Sequence, residues 1–474
     1  NCSTGFYALN IERRPHRPLP GRVQSTRKVG LLVYIFNEQL VESFVEVVKN
    51  AVGNIFDGNG VVEFQRVLKD GLNEIATEIQ KEVFEAIDAE FVEKKASRKG
   101  WVIKHRNRKK TVLSPFGQVT YARTGFANKK TGKYAYLTDR FLGYKAHQRL
   151  DLALEAELVD AASEMSFRKA GQEAEKRAVG TQVSGQTVLN LVRKLRPEEL
   201  EKVPPVVEKK SCRVLYIDAD EDHVAGQDGK SFEVKLINVH EGRTRVNGKR
   251  FRLKEKQYFV EGHNNRVTSL WEQVWRYIQA TYILEDIEHI FISGDGASWI
   301  KSGVDYLPNS IFVLDRFHLQ QCITRAAGGN KELHSDLKKA VWGLERSKIL
   351  SLLREEHGKA ETDSRKRTIE NCYKYLANNW NGIKVYRDYG AYIVGCSAEG
   401  QVSHILSSRL SSRPMGWSRI GAHQIAHLRV HKANGSDVSQ LYLHRRLQEN
   451  EKSTQFQVPD SIKHKKVVGD WFEA

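Results

Sequence analysis

The spacing of apolar residues changes near a proline-containing segment of this chain, and that change limits the folds available to it. Before Pro197 most apolar residues recur every three or four positions, which predicts helices. After Pro205 they alternate, which predicts β-strands. The predicted elements of this second part are, in order, strands Arg213–Val224, Phe232–Val239 and Phe251–Val260, a helix Val267–Gln279, strand Ile287–Ser293, a brief helix and strand Ser310–Leu314.

The order β-β-β-α-β-α-β is typical of an RNase H-like domain, an α+β fold with a mixed sheet. We therefore predict a multidomain α+β chain whose catalytic domain spans residues 206–435, with a helical insertion at about 320–390. The other predicted regions are an N-terminal helical region with an unstructured start (1–97), a small basic β region (98–147), a helical region resembling a helix-turn-helix with a linker (148–205) and a C-terminal tail (436–474).

Two acids fall on neighbouring strands of this predicted sheet. Asp220 lies on the first strand and Asp295 directly follows the fourth, so their carboxylates are expected to converge at one sheet edge. Adjacent buried carboxylates are unfavourable unless cations lie between them, which predicts divalent ions, Mg²⁺ or Mn²⁺, and two of them. Glu399, at the start of a later helix, is the best candidate for the third metal ligand. Asp218, one pleat from Asp220 on the same strand face, is the alternative first acid.

The net charge of the chain indicates the kind of partner that it binds. The chain has 75 Lys and Arg against 58 Asp and Glu, a formal net charge of +17, which favours a polyanion such as double-stranded DNA. Three groups of residues are candidate DNA contacts: Lys104, Arg106, Arg108, Lys109 and Lys110 in a basic stretch before a predicted β-ribbon, Gln186, Asn190 and Arg193 on the second helix of the helix-turn-helix, and Arg409, Arg413 and Trp417 after the third acid. Each group also has an alternative interpretation. The basic stretch fits a solvated face, the helix pair fits any two amphipathic helices around a Gly, and Trp417 fits a core position.

The remaining composition excludes several classes of protein. The five cysteines include no CxxC pair, which is unsuited to a zinc ribbon or a disulfide scaffold and suits a reducing compartment. No stretch approaches the roughly 20 consecutive apolar residues that a membrane helix needs. We expect a cytoplasmic protein with no membrane partner.

Four sequence blocks, in this order, resemble the signature blocks of the ISLre-two insertion-sequence transposases, a bacterial DDE group similar to the Mutator-like transposases. The blocks are YIDADEDHV, GDGASWI, VLDRFHLQQ and CSAEGQVSHILSSRLSSRPMGWS, and the likeness extends over about residues 95–435. By position, the resemblance implies that Asp220, Asp295 and Glu399 are the catalytic acids. The sequence departs from these transposases at Glu221, where they tend to have Gly.

The resemblance further implies a nucleoid-associated bacterial enzyme that binds the terminal inverted repeats of its element, cuts them and joins the ends to target DNA as a homo-oligomer. It also draws attention to Asp315 and His318 as auxiliary residues, which either orient the scissile phosphate or cap the helical insertion. Two alternatives remain open: an RNase H-like hydrolytic nuclease, and a DNA-binding protein descended from a transposase that has lost catalysis.

Overall fold

The computed structural model describes residues 38–58, 60–177, 182–196, 208–248, 250–261 and 267–453. They form two compact units, one of residues 38–111 and 119–145 and one of residues 112–118 and 146–453. The predicted unstructured start lies outside the described residues. No helix in the described part of the chain is both long and apolar enough to cross a membrane.

The first unit combines two helices with a small sheet. The helical pattern predicted from Asn37 to Lys95 forms two helices, α1 and α2, because Gly58 at φ +81° ends the first. Of the predicted apolar stripe, Ile87 and Phe91 are buried, whereas Leu72 is 40% exposed. The elements are α1 (Glu38–Phe56), α2 (Gly60–Glu93), β1 (Trp101–Ser114), β2 (Gly117–Asn128), β3 (Tyr134–Tyr136) and α3 (Leu137–Phe141), with the sheet in the order β1-β2-β3.

The second unit is built on a five-stranded mixed sheet, as predicted. Its strand order is β10-β9-β4-β5-β8; β9 and β10 run parallel to β4, and β5 runs antiparallel to both of its neighbours. The predicted third strand is two strands, and the first of them pairs with an additional strand in a separate ribbon. The strands are β4 (Val214–Ala225), β5 (Ser231–His240), β6 (Arg243–Asn247), β7 (Arg250–Leu253), β8 (Gln257–Val260), β9 (His289–Gly294) and β10 (Ser310–Leu314).

Helices cover both faces of this sheet. Alternate residues of β4 point to opposite faces, so Leu215, Ile217 and Ala219 pack under α7 (Val267–Thr281) and α8 (Ser298–Lys301). Val224 on the other face packs with helices from before and after the sheet in the sequence. These helices are α4 (Leu152–Glu164), α6 (Gly185–Leu195), α14 (Ala398–Val402), α15 (Ser408–Leu410) and α16 (Arg419–Ala433), with one π-helical turn (Ser403–Ser407) between α14 and α15.

The predicted helical insertion follows β10 and has its own apolar core. It consists of α9 (Arg316–Ala327), α10 (Lys331–Trp342), α11 (Arg346–Lys359), α12 (Asp363–Asn378) and α13 (Trp380–Asp388). The predicted tail, in contrast, begins as α17 (Val438–Ser453), in which the Tyr442 hydroxyl donates to buried Glu155 at 2.7 Å. Residues 438–453 therefore belong to the folded unit.

The two helices of the predicted helix-turn-helix are α5 (Phe167–Arg177) and α6, which pack against each other. Ser184 caps α6 by accepting a hydrogen bond from the Thr187 N–H at 3.1 Å. The turn predicted around Gly180 lies outside the described residues.

Candidate active site

Asp220 lies on β4, and Asp295 directly follows the last residue of β9, the parallel strand beside β4. Asp218 of β4 is paired with Ser293 of β9, and each candidate acid comes two residues after its member of this pair. Asp220 is only 8% exposed. Burial, together with the charges of Glu221 and Asp295, raises the pKa of Asp220 to about 7. Asp295 is thus close enough for its charge to disfavour ionisation of Asp220.

The loop that carries Asp295 depends on glycine. Gly296 has φ +96°, and a Cβ there would lie 2.5 Å from the Asn379 side chain. The Asp295 carboxylate accepts from the Ala297 N–H at 2.8 Å, and its carbonyl accepts from the Tyr375 hydroxyl at 2.6 Å. The helical insertion, which supplies Tyr375 and Asn379, therefore holds this loop in place. Sequence spacing contained no signal for either residue.

His318 and Asp315 join this group from the start of α9. Asp315 caps that helix by accepting from the Phe317 N–H, and it contacts His318 Nδ1 at 2.9 Å. The hydrogen bond to Asp315, with the nearby charges of Asp220 and Asp295, raises the pKa of His318. The capping role is thus present, and a histidine that favours its charged form lies near both candidate acids.

The three acids of the first block have different surroundings although they share one face of β4. Asp218 accepts from the Ser397 N–H at 2.9 Å and the Ser397 hydroxyl at 2.6 Å. Asp222 accepts from the Ser407 hydroxyl at 2.9 Å and the Ser411 hydroxyl at 2.8 Å. The two outer acids therefore hold the segment 397–411 against β4.

Asp220, between them, receives a different set of contacts. Its one hydrogen bond from the described residues comes from the Glu221 N–H at 2.9 Å, and no serine hydroxyl of the segment 397–411 donates to it. Burial raises the pKa of Asp218 but hydrogen bonds from His240 and Ser397 outweigh it, so that pKa is below its usual value. A cation suits Asp220 because this acid is buried near Asp295 and forms no ion pair with any of the described residues.

Glu399 lies two residues beyond Ser397, exposed in the first turn of α14. Among the described residues, no three His, Cys, Asp or Glu side chains form a group that could hold a metal ion. The structure therefore brings Asp220 and Asp295 together and docks the Glu399 helix on the same strand, but it does not join the third acid to the first two.

Glu221, where the ISLre-two blocks tend to have Gly, points to the opposite face of β4. It accepts a hydrogen bond from Trp299 Nε1 at 2.7 Å. Burial, together with the charge of Asp295, raises the pKa of Glu221. The larger side chain is accommodated because an indole N–H of the GDGASWI block is its donor.

The structure corrects three of the predicted DNA contacts. Lys110 is buried and paired with Asp139 at 3.0 Å, and burial lowers its pKa to about 8. Arg409 is 5% exposed; its guanidinium donates to the Ala162 carbonyl and lies 4.7 Å from the Trp417 ring centre. Trp417 is itself buried and donates to the Leu410 carbonyl at 3.0 Å. These three residues stabilise the interior and are not free to contact DNA.

The other predicted DNA contacts are exposed, which a DNA-binding role requires but does not by itself establish. Gln186 and Asn190 lie one turn apart on α6 and are joined by a hydrogen bond of 3.1 Å. The exposed members of the three groups are Lys104, Arg106, Arg108 and Lys109 on β1, Gln186, Asn190 and Arg193 on α6, and Arg413 after α15.

Two arginines four residues apart provide a test of this correction. We expect Arg409→Ala to lower the free energy of unfolding by about 2–4 kcal/mol, because it removes a buried, hydrogen-bonded side chain, and to leave DNA affinity unchanged in the folded protein. Arg413→Ala should leave stability within about 0.5 kcal/mol of the unsubstituted protein. Urea denaturation and fluorescence anisotropy with a labelled duplex measure both effects. Weaker DNA binding by folded Arg409→Ala would reinstate Arg409 as a contact.

Comparison with known proteins identifies the family. Residues 56–447 match the family described as "Uncharacterised protein family (UPF0236)". A UPF0236 protein of Caldanaerobacter subterraneus subsp. tengcongensis is 33% identical over 406 residues, covering 86% of this chain and 83% of its own length; its name carries eleven locus designations. A UPF0236 protein of Streptococcus gallolyticus, named for the vanSb 3′ region, is 27% identical over 384 residues, covering 79% of this chain and 83% of its own length. The chain therefore belongs to the UPF0236 family.

Proposed function

We propose that this protein is a DDE transposase that binds the ends of its element, cuts DNA strands and joins the freed ends to target DNA. In this proposal the second unit contains an RNase H-like catalytic domain. The strand order β10-β9-β4-β5-β8, with one antiparallel strand beside the first, supports that assignment because such domains have this arrangement.

The observation that carries the proposal is the pairing of Asp220 with Asp295. The two carboxylates, one on β4 and one directly after the adjacent parallel strand β9, repel each other, and burial of Asp220 increases that cost. A fold gains nothing from such an arrangement unless a ligand compensates it, and perturbed acids of this kind cluster at functional sites. We propose Asp220, Asp295 and Glu399 as the ligands of Mg²⁺ or Mn²⁺.

Bound divalent ions would activate a water or a 3′-hydroxyl and stabilise the leaving oxygen of the phosphodiester. The residues of the chain orient the reacting groups. Asp218 and Asp222 hold the Glu399 segment on β4, and Tyr375 holds the Asp295 loop. His318, whose pKa is raised by its hydrogen bond to Asp315 and by the nearby acids, is placed to contact a phosphate oxygen. We propose that Glu399 completes the group when DNA is bound.

The copy number of the relatives supports the same function. The name of one relative carries eleven locus designations in a single genome, and the name of another carries four. A gene product repeated in this way is expected of an element that copies or moves itself. Transposition of paired ends also implies that the active form is a homo-oligomer.

The test is strand cleavage and joining by the purified full chain, in Mg²⁺ or Mn²⁺, on duplex DNA carrying the flanks of its gene. Asp295→Asn and Glu399→Gln should abolish both steps and leave DNA affinity within about twofold, because the carboxylates act on the reaction more than on binding. Asp305→Asn, at an exposed acid outside the group, is the matched control and should cut normally.

Other outcomes identify the rival functions. Cleavage without joining of a pre-cut end would indicate a hydrolytic nuclease. Duplex binding with no cleavage in either metal would indicate a DNA-binding protein that has lost catalysis. Normal cutting by Asp295→Asn would remove Asp295 from the site.

A further inference from the structure

The β6–β7 ribbon is inserted between two strands of the central sheet, β5 and β8, and has no counterpart among the DNA contacts predicted from sequence. Residues 243–256, which form the ribbon and the segment leading to β8, contain seven Lys or Arg and one acid. Arg245, Arg252 and Lys254 are exposed, and no ion pair with an acid involves them in the described part of the chain. This charge is therefore uncompensated within the described structure.

The pairing of the two strands distributes the positive charge over both faces of the ribbon. Arg243 is paired with Leu253 and Arg245 with Phe251, so these four side chains share one face. Thr244 is paired with Arg252, which lies on the other face. A ribbon that is basic on one face alone could lie on a flat anionic surface, whereas one that is basic on both faces suits a partner with phosphates on two sides.

The ribbon also exposes apolar side chains. Val246 is 62% exposed and Phe251 is 52% exposed, with the Arg245 guanidinium 5.8 Å from the Phe251 ring centre. Exposed apolar side chains on a basic ribbon suit contact with base edges or sugars between two phosphate backbones. A simple solvated ribbon has no need of them.

The base of the ribbon is fixed next to the candidate active site. The Arg243 guanidinium donates to the Gly395 carbonyl at 2.5 Å, and Gly395 is four residues before Glu399. The Glu241 N–H donates to the Lys254 carbonyl at 3.0 Å, and the Lys254 N–H donates to the Gly242 carbonyl at 2.9 Å. These two backbone hydrogen bonds close the base of the ribbon. A partner bound to the ribbon would thus lie beside the segment that carries the third candidate acid.

We propose that the β6–β7 ribbon enters a groove of double-stranded DNA and grips the phosphates on both sides of it. The inference rests on the proposed function only in taking DNA as the polyanion. A duplex groove is wide enough for a two-stranded ribbon and is bordered by two phosphate backbones, which a single strand does not provide.

The test measures binding alone, with the full chain in EDTA and two probes, a random-sequence 30-base-pair duplex and one of its strands. Arg245→Ala/Arg252→Ala should raise the Kd for the duplex about tenfold at roughly 0.1 M salt and reduce the slope of log Kd against log salt by about 1 to 2. Val246→Asp, which adds a negative charge at an exposed position, should also weaken duplex binding. Arg354→Ala/Arg367→Ala, two exposed arginines of the insertion with no ion pair in the described structure, is the charge-matched control.

The proposal is overturned if the ribbon variants bind the duplex as tightly as the control, or if they lose affinity for the single strand only. Circular dichroism and a thermal melt confirm that each variant is folded. Because no metal is present, the result does not depend on catalysis. A chain that binds duplex through the ribbon but never cuts in Mg²⁺ or Mn²⁺ would refute the proposed function and leave this inference intact.

Discussion

Asp220→Asn should reduce DNA strand cleavage by at least about a thousandfold and at the same time make the metal-free protein more stable. The loss of cleavage follows if Asp220 binds the catalytic cation, since metal ligation accounts for several kcal/mol of transition-state stabilisation. The gain in stability follows from the pKa of about 7 that burial and the neighbouring acids impose on Asp220, against an ordinary value of 3.8.

The sign of the stability effect depends on pH. Between about 3.8 and 7 the folded state binds the extra proton, so the contribution of Asp220 becomes less favourable as pH rises through this window and is constant above it. The full cost at pH 8 is at most about 4 kcal/mol. Asn avoids this cost, so the stability difference between the variant and the unsubstituted protein should be large at pH 8 and small at pH 4.

Urea denaturation in EDTA at the two pH values measures this difference. Added Mg²⁺ should stabilise the unsubstituted protein and not Asp220→Asn, because only the former has the ligand. Asp305→Asn should change neither stability nor cleavage. A variant that cuts at the normal rate, or one that is less stable than the unsubstituted protein at pH 8, would contradict the assignment of Asp220.

Asp218→Asn, only two residues away, should have the opposite effect on stability. The Ser397 N–H and hydroxyl both donate to one oxygen of Asp218, and His240 Nε2 lies 3.4 Å from the same oxygen. An amide oxygen in that place has no negative charge, so it accepts these buried hydrogen bonds more weakly. We expect the free energy of unfolding to fall by about 2–4 kcal/mol.

Because the pKa of Asp218 is lowered, its stabilising contribution is present above pH 3.8 and is lost as pH falls through the folded-state pKa. Asp218→Asn should also reduce the rate of cleavage more than DNA affinity, since it releases the segment that carries Glu399. Ser397→Ala is the graded comparison, and the double variant should lose less stability than the sum of the single variants. Equal stability of Asp218→Asn, or strict additivity, would show that the two residues do not act together.

The sequence by itself determined the strands of the central sheet, the helical insertion and the positions of Asp220 and Asp295. Hydrophobic period and turn residues depend on neighbours in the chain, so they can be recognised without coordinates. The hydrophobic period did not predict two local details: α1 and α2 are separate helices, and β6 is an additional strand. Both details depend on short turns, at Gly58 and at Gly248, that interrupt an otherwise regular pattern.

Tertiary structure alone decided what each side chain does. Asp218, Asp220 and Asp222 have the same side chain on the same strand face. They differ because serines about 180 residues later donate hydrogen bonds to Asp218 and Asp222, whereas the donor to Asp220 is the neighbouring Glu221 N–H. Arg409 and Arg413 are equally charged, yet only the first is buried against Trp417. Burial and hydrogen bonding depend on partners that are distant in the chain. The pattern of residue types along the sequence does not specify which distant residues come into contact.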